Sequence, residues 1–255
     1  MATKGLTSGG RISFFDSVLN GATFQAGLWK DAPLLEYLFD PTIGIMLDER
    51  WDSYDAEATV GDYVGTAATS GSAAMSTTIS KALAIDAGAT TDNQGFQIQR
   101  VKTAFLPAAG KDLWAEFLVL LTATTPPVTK AQIYVGLAAI DTSIISAGAQ
   151  STNNRIGWQI LDGALLATTF TSDKAGVADT RTGPTLVAAT AIKLGFKYDG
   201  TADTVQQYVN GVATGLPVVT ANTPKLAVYP SLVCQSDGTD QPILVSMGYR
   251  IFQLR

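Results

Sequence analysis

A chain of 255 residues, 46% hydrophobic and with a single cysteine, is long enough to bury a core without disulfide staples. Its net charge of −5 with only 15% charged residues disfavours nucleic-acid binding, and the absence of histidine removes the usual serine and cysteine triads, histidine proton shuttles and histidine metal sites. No run of about 18 apolar residues could span a bilayer, and MATKGLTSGG lacks the apolar stretch of a secretory signal, so synthesis as a soluble cytoplasmic chain is expected.

The first forty residues mix turn residues with aromatic pairs and show no sustained strand alternation, which predicts an arm over 1–41 ahead of the main domain. Asp31-Ala32-Pro33 is a helix start, with proline in the first turn, and Asp40-Pro41 a stop, giving about two turns. Leu34, Leu35, Tyr37, Leu38 and Phe39 cover nearly the whole circumference of that helix, so one supporting surface cannot bury them all. Together with Phe14, Phe15, Phe24, Leu28 and Trp29 they form an apolar set that a monomer gains little by leaving in water. Two fates are open: the arm packs across its own domain, or it embraces a neighbouring subunit or an underlying shell.

From Thr42 the pattern turns to short strands, beginning with TIGIML and the acidic stretch DERWDSYDAE. The low-complexity passage from Thr59 to Gly95 reads as loop-rich. Clearer strands follow in GFQIQRVKTAFL, KDLWAEFLVLLTA, KAQIYVGLAAI, IGWQILDGALLATTF, AIKLGFKYDG and TVQQYVNG, and LAVYPSLVC and PILVSMGYRIFQL close the chain. Strands this numerous, with Gly, Asp and Asn turns and almost no helical periodicity, predict an all-β antiparallel two-sheet sandwich over 42–255. In the last strand Ile243, Val245, Met247, Tyr249, Ile251 and Phe252 are expected to enter the core.

GFKYDGTADTVQQYVNGVATG shows the local logic. Leu194, Phe196 and Tyr198 alternate with Gly195 and Lys197; Asp199-Gly200 opens a turn; Val205, Gln207 and Val209 resume the alternation; Asn210-Gly211 turns the chain again. A meander of three antiparallel segments follows.

Glu116 lies on a strand where Trp114 and Leu118 occupy the positions two residues away, so the paired carboxylates of a glycosidase are missing. Asp48, Glu49, Asp52, Asp55 and Glu57 are the densest acidic group, but they lack calcium-loop spacing and interleave with Trp51 and Tyr54. Asp199 and Asp203 read as turn residues whose side chains satisfy backbone amides. Arg100, Lys102 and Lys111 are too sparse for a nucleic-acid surface, and Cys234 reads as a buried thiol. No cofactor or metal is expected. Trp158, Tyr198 and Tyr208 could serve as sugar platforms, although strand packing accounts for each of them.

Three places carry a family likeness: LWAEFLVLLTA with QIYVGLAAIDT, then RIGWQILDG, then LGFKYDGTADTVQQYVNGV. Together they resemble the concanavalin A-like, or laminin-G-like, jelly-roll superfamily, from about Gly95 to the end. The resemblance implies a jelly roll, in a superfamily that includes lectins, glycoside hydrolases, adhesion domains and virion proteins. With its Ala/Thr/Gly-rich, histidine-free composition and leading arm, the chain looks most like bacteriophage structural proteins, in particular capsid decoration or cement proteins. That likeness implies a non-enzymatic virion protein forming a homo-oligomer, with the major capsid protein or other virion proteins as partners and no membrane. The alternative it leaves is a receptor- or glycan-binding jelly-roll domain of a tail fibre or spike, and third stands a carbohydrate-active enzyme.

Overall fold

A computed structural model describes residues 27–52, 62–123, 128–146, 148–150 and 154–255. One helix, α1 (Leu34–Phe39), precedes the strands β1 (Gly44–Glu49), β2 (Tyr63–Ala68), β3 (Ser72–Met75), β4 (Leu83–Asp86), β5 (Gly95–Arg100) and β6 (Leu113–Ala123). Next come β7 (Gln132–Ala138), β8 (Ile145–Ser146), β9 (Ala149–Gln150), β10 (Arg155–Ile160), β11 (Ala167–Lys174) and β12 (Val177–Thr185). The chain closes with β13 (Ile192–Asp199), β14 (Thr204–Val209), β15 (Val212–Val219), β16 (Tyr229–Gln235) and β17 (Pro242–Leu254).

Two antiparallel sheets form the sandwich. An eight-stranded sheet runs β15-β14-β13-β6-β17-β4-β3, with β1 also paired to β17, and a seven-stranded sheet runs β12-β11-β10-β7-β16-β5-β2. Leu113, Ala115, Phe117, Val119 and Leu121 of β6 face Ile133, Val135, Leu137, Trp158 and Phe170 of the other sheet in one apolar cluster. Each of the large side chains there contributes about 1.5–3 kcal/mol by leaving water. The Trp158 indole N–H crosses the sandwich to the Gly195 carbonyl at 3.2 Å, so even the polar atom of that ring is satisfied inside the core.

The β13-β14-β15 meander matches its sequence expectation. Leu194, Phe196 and Tyr198 are buried, Asn210 and Gly211 both take positive φ in the second turn, and Asp199 Oδ1 accepts the Thr201 and Ala202 amides. The Asp203 carboxylate accepts from the Tyr198 hydroxyl and from Lys225 Nζ.

Two expectations give way, and one strand appears that no pattern announced. The passage from Thr59 to Gly95 contains β2, β3 and β4; the Ala, Ser, Thr and Gly of β2 and β3 are too small and polar to show strand alternation, and in β4 only Leu83 and Ile85 mark the buried face. Strand β12 is largely exposed and carries no apolar face for the eye to find. In β17 the pairing with β6 skips a residue between Ser246 and Gly248. This bulge moves the inward face from Leu244 to Tyr249 and Ile251, so Ile243 and Met247 are only half-buried despite the sequence alternation.

Residues Gly27 to Phe39 lie on the outer face of the eight-stranded sheet. Leu28, Trp29, Ala32 and Leu34 form one buried cluster with Trp114 and Phe252. Gly195 makes room for this seat, because a Cβ there would stand 2.8 Å from Leu28 Cδ2. Tyr37 meets Phe252 edge to face at 5.4 Å. Leu38 and Phe39, on the far side of α1, are 66% and 83% exposed. Phe14, Phe15 and Phe24 lie outside the described residues, as do Asp55 and Glu57.

Candidate ligand-binding end of the sandwich

The seven-stranded sheet turns an unusually polar face outward. Ile98, Ile133, Val135, Leu137 and Ile156 point to the core, leaving Gln97, Gln99, Gln132, Arg155, Gln159, Ser231 and Gln235 on the other side, nearly all of them buried. They are buried because the segment after β7 folds back over them. The Gln97 amide bonds Asp141 O and the Ile144 amide, Gln99 bonds Ala139 O and the Asp141 amide, and Gln235 Nε2 bonds Ile145 O. Ile144 and Ile145 complete the cover by packing on Tyr134 and Val233. Beneath it Arg155 and Asp173 form a fully buried pair at 3.5 Å, and burial lowers the Arg155 pKa from its ordinary value.

At one end of this sheet the register brings four loops together. Gln235 pairs with Gln132 and with Gly95, and Ile160 pairs with Ile133. The approach to β5, the start of β7, the turn after β10 and the turn after β16 therefore meet. Asn93, with φ 62, donates its backbone N–H to Ser236 O at 3.0 Å, and the Ser236 amide returns a bond to Gln94 O at 2.8 Å. Asp240 Oδ2 accepts from the Thr129 and Lys130 amides at 2.6 and 3.0 Å, tying the approach to β7 into the same end.

Asp92, Asp162 and Asp237 converge here, with carboxylate oxygens all within 4.8 Å of one another. Burial, then hydrogen bonding and repulsion from Asp162, raise the Asp237 pKa above the usual carboxylate value. The Gly163 amide donates to Asp237 Oδ2 at 3.3 Å. Gln132 reaches in from β7, its Nε2 donating to Asp92 Oδ1, Asn93 Oδ1 and Ser236 O at 3.1, 3.2 and 3.1 Å. Oxygen acceptors and amide groups held on three braced loops and the start of β7 can bind a polar, hydroxyl-rich ligand.

Sequence reasoning missed this group because its members stand far apart in the chain. The only local signals were the Asp-Gly pairs at Asp162-Gly163 and Asp237-Gly238, which look like ordinary turns.

The acidic group singled out by sequence is a structural network. Glu49 Oε2 accepts from the Tyr63 hydroxyl at 2.6 Å and from Arg100 Nη1 at 3.0 Å, Asp48 pairs with Arg50 and Arg250, and Asp52 pairs with Lys81. Burial alone would raise the Asp48 pKa, but the two arginines outweigh it and hold the group below its usual value. A cleft of about 260 Å³ opens beside this network on the eight-stranded sheet, and Glu116 lines it opposite Lys193, which stands 3.5 Å away. Trp158 and Tyr198 are fully buried and Tyr208 packs against the arm cluster, so Trp158 and Tyr198 offer no face to a sugar. Cys234 is buried, and that burial pushes its thiol pKa far up.

No family model and no curated protein matches the chain. Solved structures do match in fold. A Lotus tetragonolobus seed lectin aligns over 83% of this chain and 99% of its own, with TM-score 0.55 and 11% identity. The Emp47p carbohydrate recognition domain aligns over 84% and 98%, with TM-score 0.56 and 9% identity. SO2946 of Shewanella oneidensis, a protein of unknown function, aligns over 84% and 87%, with TM-score 0.57 and 14% identity. The chain is thus similar to concanavalin A-like, lectin-like jelly rolls, and at these identities the likeness is one of fold.

Proposed function

We propose that the protein is a non-enzymatic glycan-binding jelly-roll domain, with its working surface at the loop end formed by Asp92, Asn93 and Asp162, which the buried Gln132 and Asp237 brace from beneath. The convergence of acceptors and amides from three loops and the start of β7 carries the reading, since a sugar presents many hydroxyls and needs such groups fixed in place. Fold likeness to a carbohydrate recognition domain and a seed lectin supports it by analogy. Carboxylates and side-chain amides would accept and donate hydrogen bonds to vicinal hydroxyls, and the exposed Leu165 in the turn after β10 offers an apolar contact beside them. A glycan array tests this with wild-type protein and Asn93→Ala. Binding to a defined set of glycans that the variant loses is the expected result; a blank array sinks the reading.

A second reading has its own observation. Leu38 and Phe39 project from α1 into solvent, and a protein partner, such as a virion shell in a decoration or cement role, would cover them. In that case co-sedimentation of the protein with shells lacking it would depend on Phe39, and Phe39→Ser would abolish it.

A further inference from the structure

The cleft of about 260 Å³ on the eight-stranded sheet owes its floor to the bulge in β17. Leu118 of β6 is flanked by Lys193 of β13 on one side and by Gly248 of β17 on the other. Gly248 takes φ +126, and a Cβ there would stand 2.5 Å from Glu49 O, so no side chain can fill that position. Leu118, the extra residue Met247 and the bare Gly248 backbone therefore line an open, largely apolar floor.

The walls are charged, and their signs do not balance. Glu49 is committed elsewhere: Oε1 accepts the Arg50 and Trp51 amides, and Oε2 accepts from the Tyr63 hydroxyl and Arg100. That leaves the cations Arg50, Lys193 and Arg250 facing the carboxylates Asp48 and Glu116, in a chain whose net charge is −5. Lys193 stands 3.5 Å from Glu116. Arg50 and Arg250 both converge on a single atom, Asp48 Oδ2, at 2.8 and 3.0 Å. Arg50 spends Nε and Nη2 on that oxygen, and among the described residues its Nη1 meets no acceptor. Two guanidiniums drawn to one carboxylate oxygen can hold a second anion, and their forked donors suit a carboxylate.

We infer that this cleft binds a small organic acid, its carboxylate held by Arg50 and Arg250 and its apolar body resting on Leu118 and Met247. The surplus of one positive charge suits a monoanion, and Asp48 and Glu116 repel ligands of higher negative charge. The floor adds what a bare anion would not use, a contact for a short hydrocarbon body. The cleft and the loop end belong to different sheets, so this site stands whether or not a sugar binds at the loops, and its test contains no sugar.

The experiment follows the methionine methyl resonances of isotope-labelled full-length protein during titration with sodium hexanoate. Hexan-1-ol supplies the same chain without the charge, and inorganic phosphate a charge without the chain. Hexanoate should shift the Met247 signal, identified by its loss in Met247→Leu, saturably below about 10 mM, while Met75, packed on the sandwich core, stays unmoved. Hexan-1-ol and phosphate should each bind about tenfold more weakly or worse. Arg50→Gln, at a largely exposed position, should keep the wild-type melting temperature and weaken hexanoate by about tenfold. No Met247 shift at about 10 mM hexanoate, an equal response to hexan-1-ol or to phosphate, or undiminished affinity in Arg50→Gln overturns the site.

Discussion

The two outer faces of the sandwich are covered by opposite chemistry. The eight-stranded sheet turns Trp114, Gly195 and Phe252 outward and receives Leu28, Trp29 and Leu34, an apolar seat that would hold almost any segment of suitable shape. The seven-stranded sheet turns Gln97, Gln99 and Gln235 outward and receives a backbone, each amide bonding a particular carbonyl or N–H of the covering segment. Hydrophobic covering is strong but undirected, whereas hydrogen-bonded covering is weaker in net energy and fixes register. The second face is therefore suited to holding loops in one arrangement at its end, which a binding site needs.

Substitutions on the two faces should separate these modes. Trp29→Ala removes a large buried ring from the apolar seat and should cost about 3–5 kcal/mol in chemical denaturation, with the sandwich core still folding cooperatively. A cost near zero would mean that the arm is not docked in solution. Gln99→Leu takes the side-chain partner from the part-buried Ala139 carbonyl and Asp141 amide and should cost about 1–3 kcal/mol. Because that loss is directional, it should also speed hydrogen exchange in the covering segment, which Trp29→Ala should leave slow.

A smaller effect is expected from acid. The Asp48 pKa lies below its usual value because Arg50 and Arg250 outweigh the effect of burial, and Asp62 is lowered first by Lys102 and then by Arg100. A depressed folded pKa contributes stability above the unfolded carboxylate value of about 4, and that contribution is lost as pH falls through the lower folded values. Melting temperature should thus decline between about pH 4 and pH 2, and because these groups are part-exposed, high salt should blunt the contribution. A flat profile there would show that the ion pairs add nothing. Phe39→Ser should change stability least, within about 0.5 kcal/mol, since the ring touches little of its own chain.

Much of the fold was legible because burial leaves a period. β13 alternates apolar with polar or small residues, β6 is a long apolar run, and Asn210-Gly211 names its own turn. Strands β2 and β3 were not legible, since a residue such as Ala73 packs on the core without looking apolar enough to mark a face. The face exchange in β17 was hidden because the bulge needs only Gly248, with φ +126, and a lone glycine in a strand has several meanings. In the arm, the apolar character of α1 was readable, but which side would be seated depended on Gly195, far along the chain. The loop end escaped for the same reason: Asp92, Asp162 and Asp237 become one group only through strand register.

The most direct test of a working loop end is titration calorimetry of a glycan selected from the array against three proteins: wild type, Asn93→Ala and Phe39→Ser. The expected result is saturable binding by wild type and by Phe39→Ser at equal affinity, with Asn93→Ala at least tenfold weaker. Equal affinity in Asn93→Ala, or a loss confined to Phe39→Ser, would contradict it and move the function to the arm.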